Sequence, residues 1–78
     1  MTEEAPIEVD ARGLSCPMPL LKARKALATA ATGQRIVVLA TDRGAESDFR
    51  AYCERAGHEL ARLEWQGDEL RVELIRGE

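Results

Sequence analysis

The stretch "RGLSCPMPLL", from Arg12 to Leu21, places a cysteine between a glycine turn and two prolines. Proline fits the first turn of a helix, because its φ angle is close to the helical value and no N–H is needed there. Pro17 and Pro19 therefore predict a helix that opens with Cys16 at the N-cap and stops at Gly33. The apolar residues at helical spacing within it are Leu20, Ala23, Leu27 and Ala31.

One strand is predicted before this helix and one after it. "IEVDA", residues 7–11, alternates in the way that a half-buried strand does. "RIVVLAT", residues 35–41, is a continuous run rich in β-branched residues, which is typical of an interior strand. A helix between two neighbouring strands predicts parallel pairing in a right-handed βαβ unit.

The second half predicts a helix and two more strands. The helix covers residues 46–56 and ends at Gly57. Strand three covers residues 58–65, and strand four follows the turn "QGD". The predicted buried residues are Phe49, Tyr52, Cys53 and Ala56 on the helix, Ala61, Leu63 and Trp65 on strand three, and Leu70, Val72 and Leu74 on strand four. The order βαβαββ predicts a two-layer α/β sandwich, as a single domain of residues 7–78 after a flexible tail of residues 1–6.

Composition narrows the class of protein. The chain has 78 residues and a net charge of −3, which argues against general affinity for nucleic acid or acidic lipid. It has neither a long apolar run nor an N-terminal signal pattern, so we expect a cytoplasmic protein with no membrane partner. His58 is the sole imidazole, and two distant cysteines without a CxxC pair predict reduced thiols and no structural metal. No cofactor is expected.

The basic residues are unevenly distributed. Between Ala11 and Thr41 there is no acidic residue. The basic side chains in this segment are Arg12, Lys22, Arg24, Lys25 and Arg35. They form either a solvated surface or a docking surface for an acidic partner or a phosphate-rich substrate, with Arg12, Lys22 and Lys25 as the candidate docking residues.

Cys16 is the candidate reactive group. A helix N-terminus stabilises a thiolate, so the pKa of Cys16 is predicted to be lowered, at the strand end where α/β sheets carry their chemistry. A free cysteine is otherwise commonly a packing residue, but a glycine turn and two prolines are poor neighbours for a core position. A hydrolase would need a histidine base, and His58 is better placed for a local hydrogen bond. A dithiol redox enzyme would need CxxC, so sulfur exchange by a single thiolate is favoured.

"DARGLSCPMPLLKARKAL", together with "GHEL", resembles the TusA-like (SirA-like) family of sulfur carrier proteins. The matching residues are Asp10, Gly13, Leu14, Cys16, Pro17 and Pro19. The resemblance implies a four-stranded mixed sheet with both helices on one face, and a persulfide carried on Cys16. It also implies a donor protein, either a cysteine desulfurase or a rhodanese-like protein. The acceptor protein would serve tRNA thiolation, molybdenum cofactor maturation or sulfur oxidation.

The chain departs from the family pattern in its second half. Many members have Asp-Pro after strand two and Asp-Ile-Pro in helix two, where this chain has Asp42-Arg43 and Asp48-Phe49-Arg50. The pathway branch is therefore left open. Cys53 matches a second cysteine of many members, and its position on the apolar stripe favours packing.

The roles of the loop residues and of the whole protein are stated as hypotheses. Asp10 is expected to accept hydrogen bonds from the amides of residues 13–16, while Gly13, Leu14, Pro17 and Pro19 shape the loop. The main function predicted is a monomeric sulfur carrier without stable nucleic-acid binding. The alternatives are a non-enzymatic regulatory or adaptor module that binds protein, and a redox switch between Cys16 and Cys53.

Overall fold

A computed structural model describes residues 5–78 and contains, within that range, four strands and two helices in the predicted order βαβαββ. The strands are β1 (Ile7–Ala11), β2 (Arg35–Ala40), β3 (Glu59–Gln66) and β4 (Glu69–Ile75), and the helices are α1 (Met18–Thr29) and α2 (Ala45–Ala56). The first four residues of the predicted tail lie outside the described residues. Neither of the two helices described is long and apolar enough to cross a membrane.

The strands form one mixed sheet in the order β1-β2-β4-β3. β1 and β2 are parallel, as predicted, with Val9 opposite Val38. β4 pairs antiparallel with both β2 and β3. Because β1 and β2 are parallel, their carboxyl ends meet at one edge, and the turns into α1 and α2 begin there.

Both helices pack on one face of this sheet. Alternate strand residues, such as Val9, Val38 and Val72, point to a core that also contains Leu27 of α1 and Phe49 of α2. Phe49 is the largest fully buried side chain of the described residues. It fixes the N-terminal half of α2 against the sheet, which positions the residues before it at the edge where α1 begins.

The bounds predicted for α1 are wrong at both ends. Pro17, rather than Cys16, occupies the N-cap position, and Ala30, in an extended conformation, follows the last helical residue. The Gln34 side chain accepts a hydrogen bond from the N–H of Ala31, which stabilises a separate turn after the helix. Gly33 lies in that turn with a φ of 86°, so its left-handed conformation serves the turn and not the helix end.

The face predicted for β3 is also wrong in part. A register shift between Leu60 and Arg62 adds a residue to the strand and breaks its two-residue alternation. As a result Ala61 is exposed, whereas Leu60 packs against the core with Leu63 and Trp65. In α2, the C-terminal stop at Gly57 is confirmed by a φ of 81°, but Ala56 is exposed and does not join the buried stripe.

Candidate functional site

Cys16 lies in the turn that leads from β1 into α1. The turn closes through a hydrogen bond from the N–H of Leu14 to the carbonyl of Ala11, and Gly13 within it has a φ of 81°. The N–H of Gly13 donates to the Thr41 hydroxyl just after β2, over 2.9 Å. The turn is therefore fixed to both parallel strands, and its Cys16 is exposed.

The predicted loop-shaping residues are divided between the core and the surface. Pro19 is buried and Leu14 packs against the core, so these two hold the turn and the first turn of α1 on the sheet. Gly13 and Pro17 are exposed. The peptide bond between Cys16 and Pro17 is cis.

The hydrogen-bond donors predicted for Asp10 are wrong. Its carboxylate accepts hydrogen bonds from the backbone N–H of Arg12 and from the Arg12 guanidinium, at 2.9 to 3.1 Å, and none of its bonds comes from residues 13–16. The bonds to Arg12 lower the pKa of Asp10 to about 2. Alternation along β1 explains the difference, because Asp10 points to the sheet face opposite the helices. Arg12 also approaches Glu69, at 3.4 Å, so two carboxylates engage its charge.

The Cys16 thiol rests against the first turn of α2. Its Sγ donates a hydrogen bond to Oδ2 of Asp48. Gly44, at the N-cap position of α2, lies beside the thiol, since a Cβ built on Gly44 would be 3.5 Å from Sγ. Asp42 accepts the N–H of Gly44 through its own carboxylate, over 2.8 Å. The thiol is thus flanked by two acidic residues that follow β2.

These carboxylates reverse the expectation for the thiol pKa. The pKa of Cys16 is raised, chiefly because the protonated thiol donates its hydrogen bond to Asp48, and also through desolvation and the negative charges of Asp48 and Asp42. Asp48 was not among the candidate site residues. Asp48 matches the Asp of the family's Asp-Ile-Pro pattern, but an acidic residue in the first turn of a helix is common, so the match alone did not indicate a contact with Cys16.

Lys22 and Lys25 lie on α1 beside the exposed edge of β1. Lys22 donates to the carbonyl of Asp10, over 3.2 Å. Both lysines line a groove of about 400 Å³ whose apolar part includes Ile7 and Ala26. The large apolar side chains exposed nearby on the first turn of α1 are Met18 and Leu21. This part of α1 is therefore both basic and apolar.

The remaining candidate groups lie away from solvent or serve the structure. Cys53 is a free thiol buried in the core, and burial raises its pKa. His58 accepts the N–H of Gly77 through Nδ1, at 2.9 Å, which is the local hydrogen bond expected for it. Burial and the charge of Arg76 lower the pKa of His58. Within residues 5–78 no cluster of three His, Cys, Asp or Glu side chains is arranged to hold a metal ion.

Comparisons with known proteins identify the family of this chain. The model of the family described as "Sulfurtransferase TusA" matches residues 7–76. A protein of Neisseria meningitidis, provisionally named a sulfur carrier protein, is 52% identical over 52 residues, covering 67% of this chain and 70% of its own length. The sulfur carrier protein TusA of Allochromatium vinosum is 43% identical over 60 residues, covering 77% of this chain and 79% of its own.

A solved structure extends the likeness to the fold. The SirA-like protein of Desulfitobacterium hafniense superposes with a TM-score of 0.78 at 30% identity, covering 92% of this chain and 99% of its own. The relatives that are named as sulfur carriers support a role in sulfur transfer in general. With its exposed Cys16 on the β1–α1 turn and a family match over nearly its whole length, the chain belongs to the TusA family of sulfurtransferases.

Proposed function

We propose that this protein is a sulfur carrier that holds sulfane sulfur as a persulfide on Cys16. The donor is a cysteine desulfurase or a rhodanese-like protein, and an acceptor protein takes the sulfur onward. The observation that carries the proposal is the position of Cys16, which is exposed on a turn fixed to both parallel strands. An exposed sulfur on a rigid turn is accessible to the active sites of two partners in succession.

The chemistry is an exchange between sulfur atoms. The Cys16 thiolate attacks the outer sulfur of the donor's persulfide, a new S–S bond forms, and the donor's S–S bond breaks. The donor's own cysteine sulfur, which was the inner atom of its persulfide, leaves as a thiolate with the electron pair. The acceptor repeats the same step on the Cys16 persulfide, so the carrier returns to its thiol form with no net oxidation and no cofactor.

Partner proteins are proposed to dock on the first two turns of α1, directly after Cys16. Lys22 and Lys25 supply positive charge, and Met18 and Leu21 supply exposed apolar surface next to the thiol turn. A partner surface with acidic residues around an apolar centre fits this combination. Arg12 contributes less, because Asp10 and Glu69 already neutralise it.

The acceptor pathway is proposed at the level of its class. Thiolation of tRNA, maturation of molybdenum cofactor and sulfur oxidation all require a protein that moves sulfane sulfur, and a monomer of residues 7–78 is sufficient for that step. The missing prolines after Asp42 and Asp48 distinguish this chain from many relatives on the surface beside the thiol. Partner choice among the three pathways is therefore expected to depend on this surface.

Transfer of labelled sulfur tests the proposal. The carrier is incubated with a cysteine desulfurase and sulfur-labelled cysteine, freed of small molecules, and then mixed with the acceptor protein of a reconstituted pathway. Label is expected on the wild type and on Cys53→Ala, which removes the buried thiol, but not on Cys16→Ser. An adaptor that only binds protein would instead support the acceptor reaction equally well with Cys16→Ser.

A further inference from the structure

Two carboxylates face the Cys16 thiol from the start of α2 and the loop before it. Asp48 accepts the hydrogen of Sγ, and Asp42, whose carboxylate accepts the N–H of Gly44, adds its negative charge near the same thiol. A thiolate at this position would place negative charge in direct contact with a carboxylate oxygen. The free protein therefore favours the neutral thiol, whereas sulfur exchange requires the thiolate.

We propose that Asp48 controls the protonation of Cys16, holding the thiol neutral in the free carrier until a cationic side chain of the docked donor pairs with the Asp48 carboxylate. This inference rests on the proposed function, since it assigns Asp48 as a positioning and specificity residue for sulfur loading. The partner chemistry is that of a lysine or arginine beside the donor's persulfide.

The fold holds Asp48 in place for this role. The next residue, Phe49, is fully buried, and the N–H of Asp48 donates to the Gly44 carbonyl over 3.3 Å. These contacts hold the Asp48 backbone beside the thiol turn, so the carboxylate stays within reach of Sγ. A cation brought by the partner removes the repulsion without moving α2, because pairing neutralises the carboxylate.

Loading then proceeds with a balanced exchange. After the cation pairs with Asp48, the Sγ proton passes to solvent and the thiolate attacks the outer sulfur of the donor's S–SH group. The Cys16–sulfur bond forms as the donor's S–S bond breaks, and the donor thiolate leaves with the electron pair and takes up a proton. The loaded Sγ has no hydrogen to donate, so its own bond to Asp48 is lost.

The test measures Cys16 reactivity in the full chain without any partner. Three methanethiosulfonate reagents are used, which carry a neutral, a cationic or an anionic group. The rate with the neutral reagent reports the fraction of Cys16 present as thiolate, and the ratio of the rates with the cationic and the anionic reagents reports the charge around the thiol. Asp48→Asn is expected to react faster with the neutral reagent at neutral pH, by on the order of tenfold, because a neighbouring negative charge is removed. Its pH profile is expected to move to lower pH, and its preference for the cationic over the anionic reagent to shrink.

Two variants separate this effect from general charge and from folding. Glu54→Gln removes the same charge from an exposed position of α2 and is expected to behave as the wild type. Asp48→Glu restores a carboxylate and is expected to recover part of the wild-type pH profile, while circular dichroism confirms that both Asp48 variants are folded. Identical pH profiles for wild type and folded Asp48→Asn would overturn the inference.

The control by Asp48 and the carrier role can fail separately. If Cys16 accepts sulfur from a donor but Asp48→Asn leaves its reactivity unchanged, the carrier role stands and the control by Asp48 is wrong. If Asp48→Asn changes thiol reactivity as expected but no donor loads Cys16, the electrostatic coupling stands and the carrier role is wrong.

Discussion

Replacing Glu73 by glutamine is expected to destabilise the sheet more than any other single charge removal on its outer face. Glu73 lies in β4 and points away from the helices, yet its side chain is only 10% exposed because three arginines surround it. Its carboxylate oxygens lie 2.7 Å from Nη1 of Arg35, 2.8 Å from Nε of Arg71 and 3.5 Å from Nη1 of Arg62. These contacts join β2, β3 and β4.

The size of the loss follows from the exposure of the partners. A buried hydrogen bond to a charged group contributes about 1.5–3 kcal/mol. The arginine side chains are 42%, 44% and 51% exposed, so solvent screening reduces each contact toward the surface value of about 0.5–1 kcal/mol. Two short contacts and one longer one give a loss of about 1.5–2.5 kcal/mol in the free energy of unfolding for Glu73→Gln.

The pH dependence provides an internal check. Hydrogen bonds from Arg71 and Arg35 lower the pKa of Glu73 below its ordinary value of 4.5. A lowered carboxyl pKa stabilises the folded state fully above the ordinary value, and this stabilisation is lost as the pH falls through the lowered value. The difference in stability between wild type and Glu73→Gln is therefore expected to be full at pH 7 and to shrink in acid.

Urea denaturation followed by the fluorescence of Trp65 measures the effect. Glu64→Gln is the matched control, since Glu64 lies on the same face, is 44% exposed and, among residues 5–78, forms an ion pair with Arg62 alone. Its loss is expected to be clearly smaller than that of Glu73→Gln. Equal stabilities for the two variants at pH 7 would refute the reasoning that enclosure by three arginines gives Glu73 its weight.

Three further changes test the core, the β1 turn and the contact between α2 and β3. Phe49→Ala is expected to cost about 3–5 kcal/mol in urea denaturation, because Phe49 is fully buried, and a loss below 1.5 kcal/mol would contradict its role as anchor of α2. Protonation of Asp10 between pH 3.8 and about 2 weakens its bond to Arg12, so Asp10→Asn is expected to lose less stability than wild type in this pH range when acid unfolding is followed by circular dichroism. Trp65→Phe removes the N–H that Trp65 donates to Glu46 over 2.8 Å, so the lowered pKa of Glu46 is expected to rise in an NMR titration, and an unchanged value would show that this bond is not formed in solution.

The pattern of apolar residues predicted the elements well where the chain follows regular geometry. The bounds of β1 and the stop of α2 at Gly57 are as expected, because strict alternation and a left-handed glycine are local properties of the sequence. The exposed Ala61 was not predicted, since the irregularity in β3 arises from its pairing with β4. The end of α1 was likewise set by a turn that Gln34 stabilises from beyond the helix.

The candidate site was predicted in its reactive atom but not in its electrostatics. The turn residues around Cys16 indicated an exposed thiol, and the structure places it on the surface. The raised pKa was not predicted, because Asp48 reaches the thiol only when the β1–α1 turn and the start of α2 meet at one sheet edge. The enclosure of Glu73 was missed for the same reason, since its arginines come from three strands.

The most direct test of the central claim is the mass of the Cys16 peptide after exposure to a competent sulfur donor. The account predicts that this peptide gains one sulfur atom, that the peptide containing Cys53 gains none, and that a thiol reductant removes the added atom. A Cys16 peptide that stays unmodified with both a cysteine desulfurase and a rhodanese-like donor, while each donor loads another known acceptor, would contradict it.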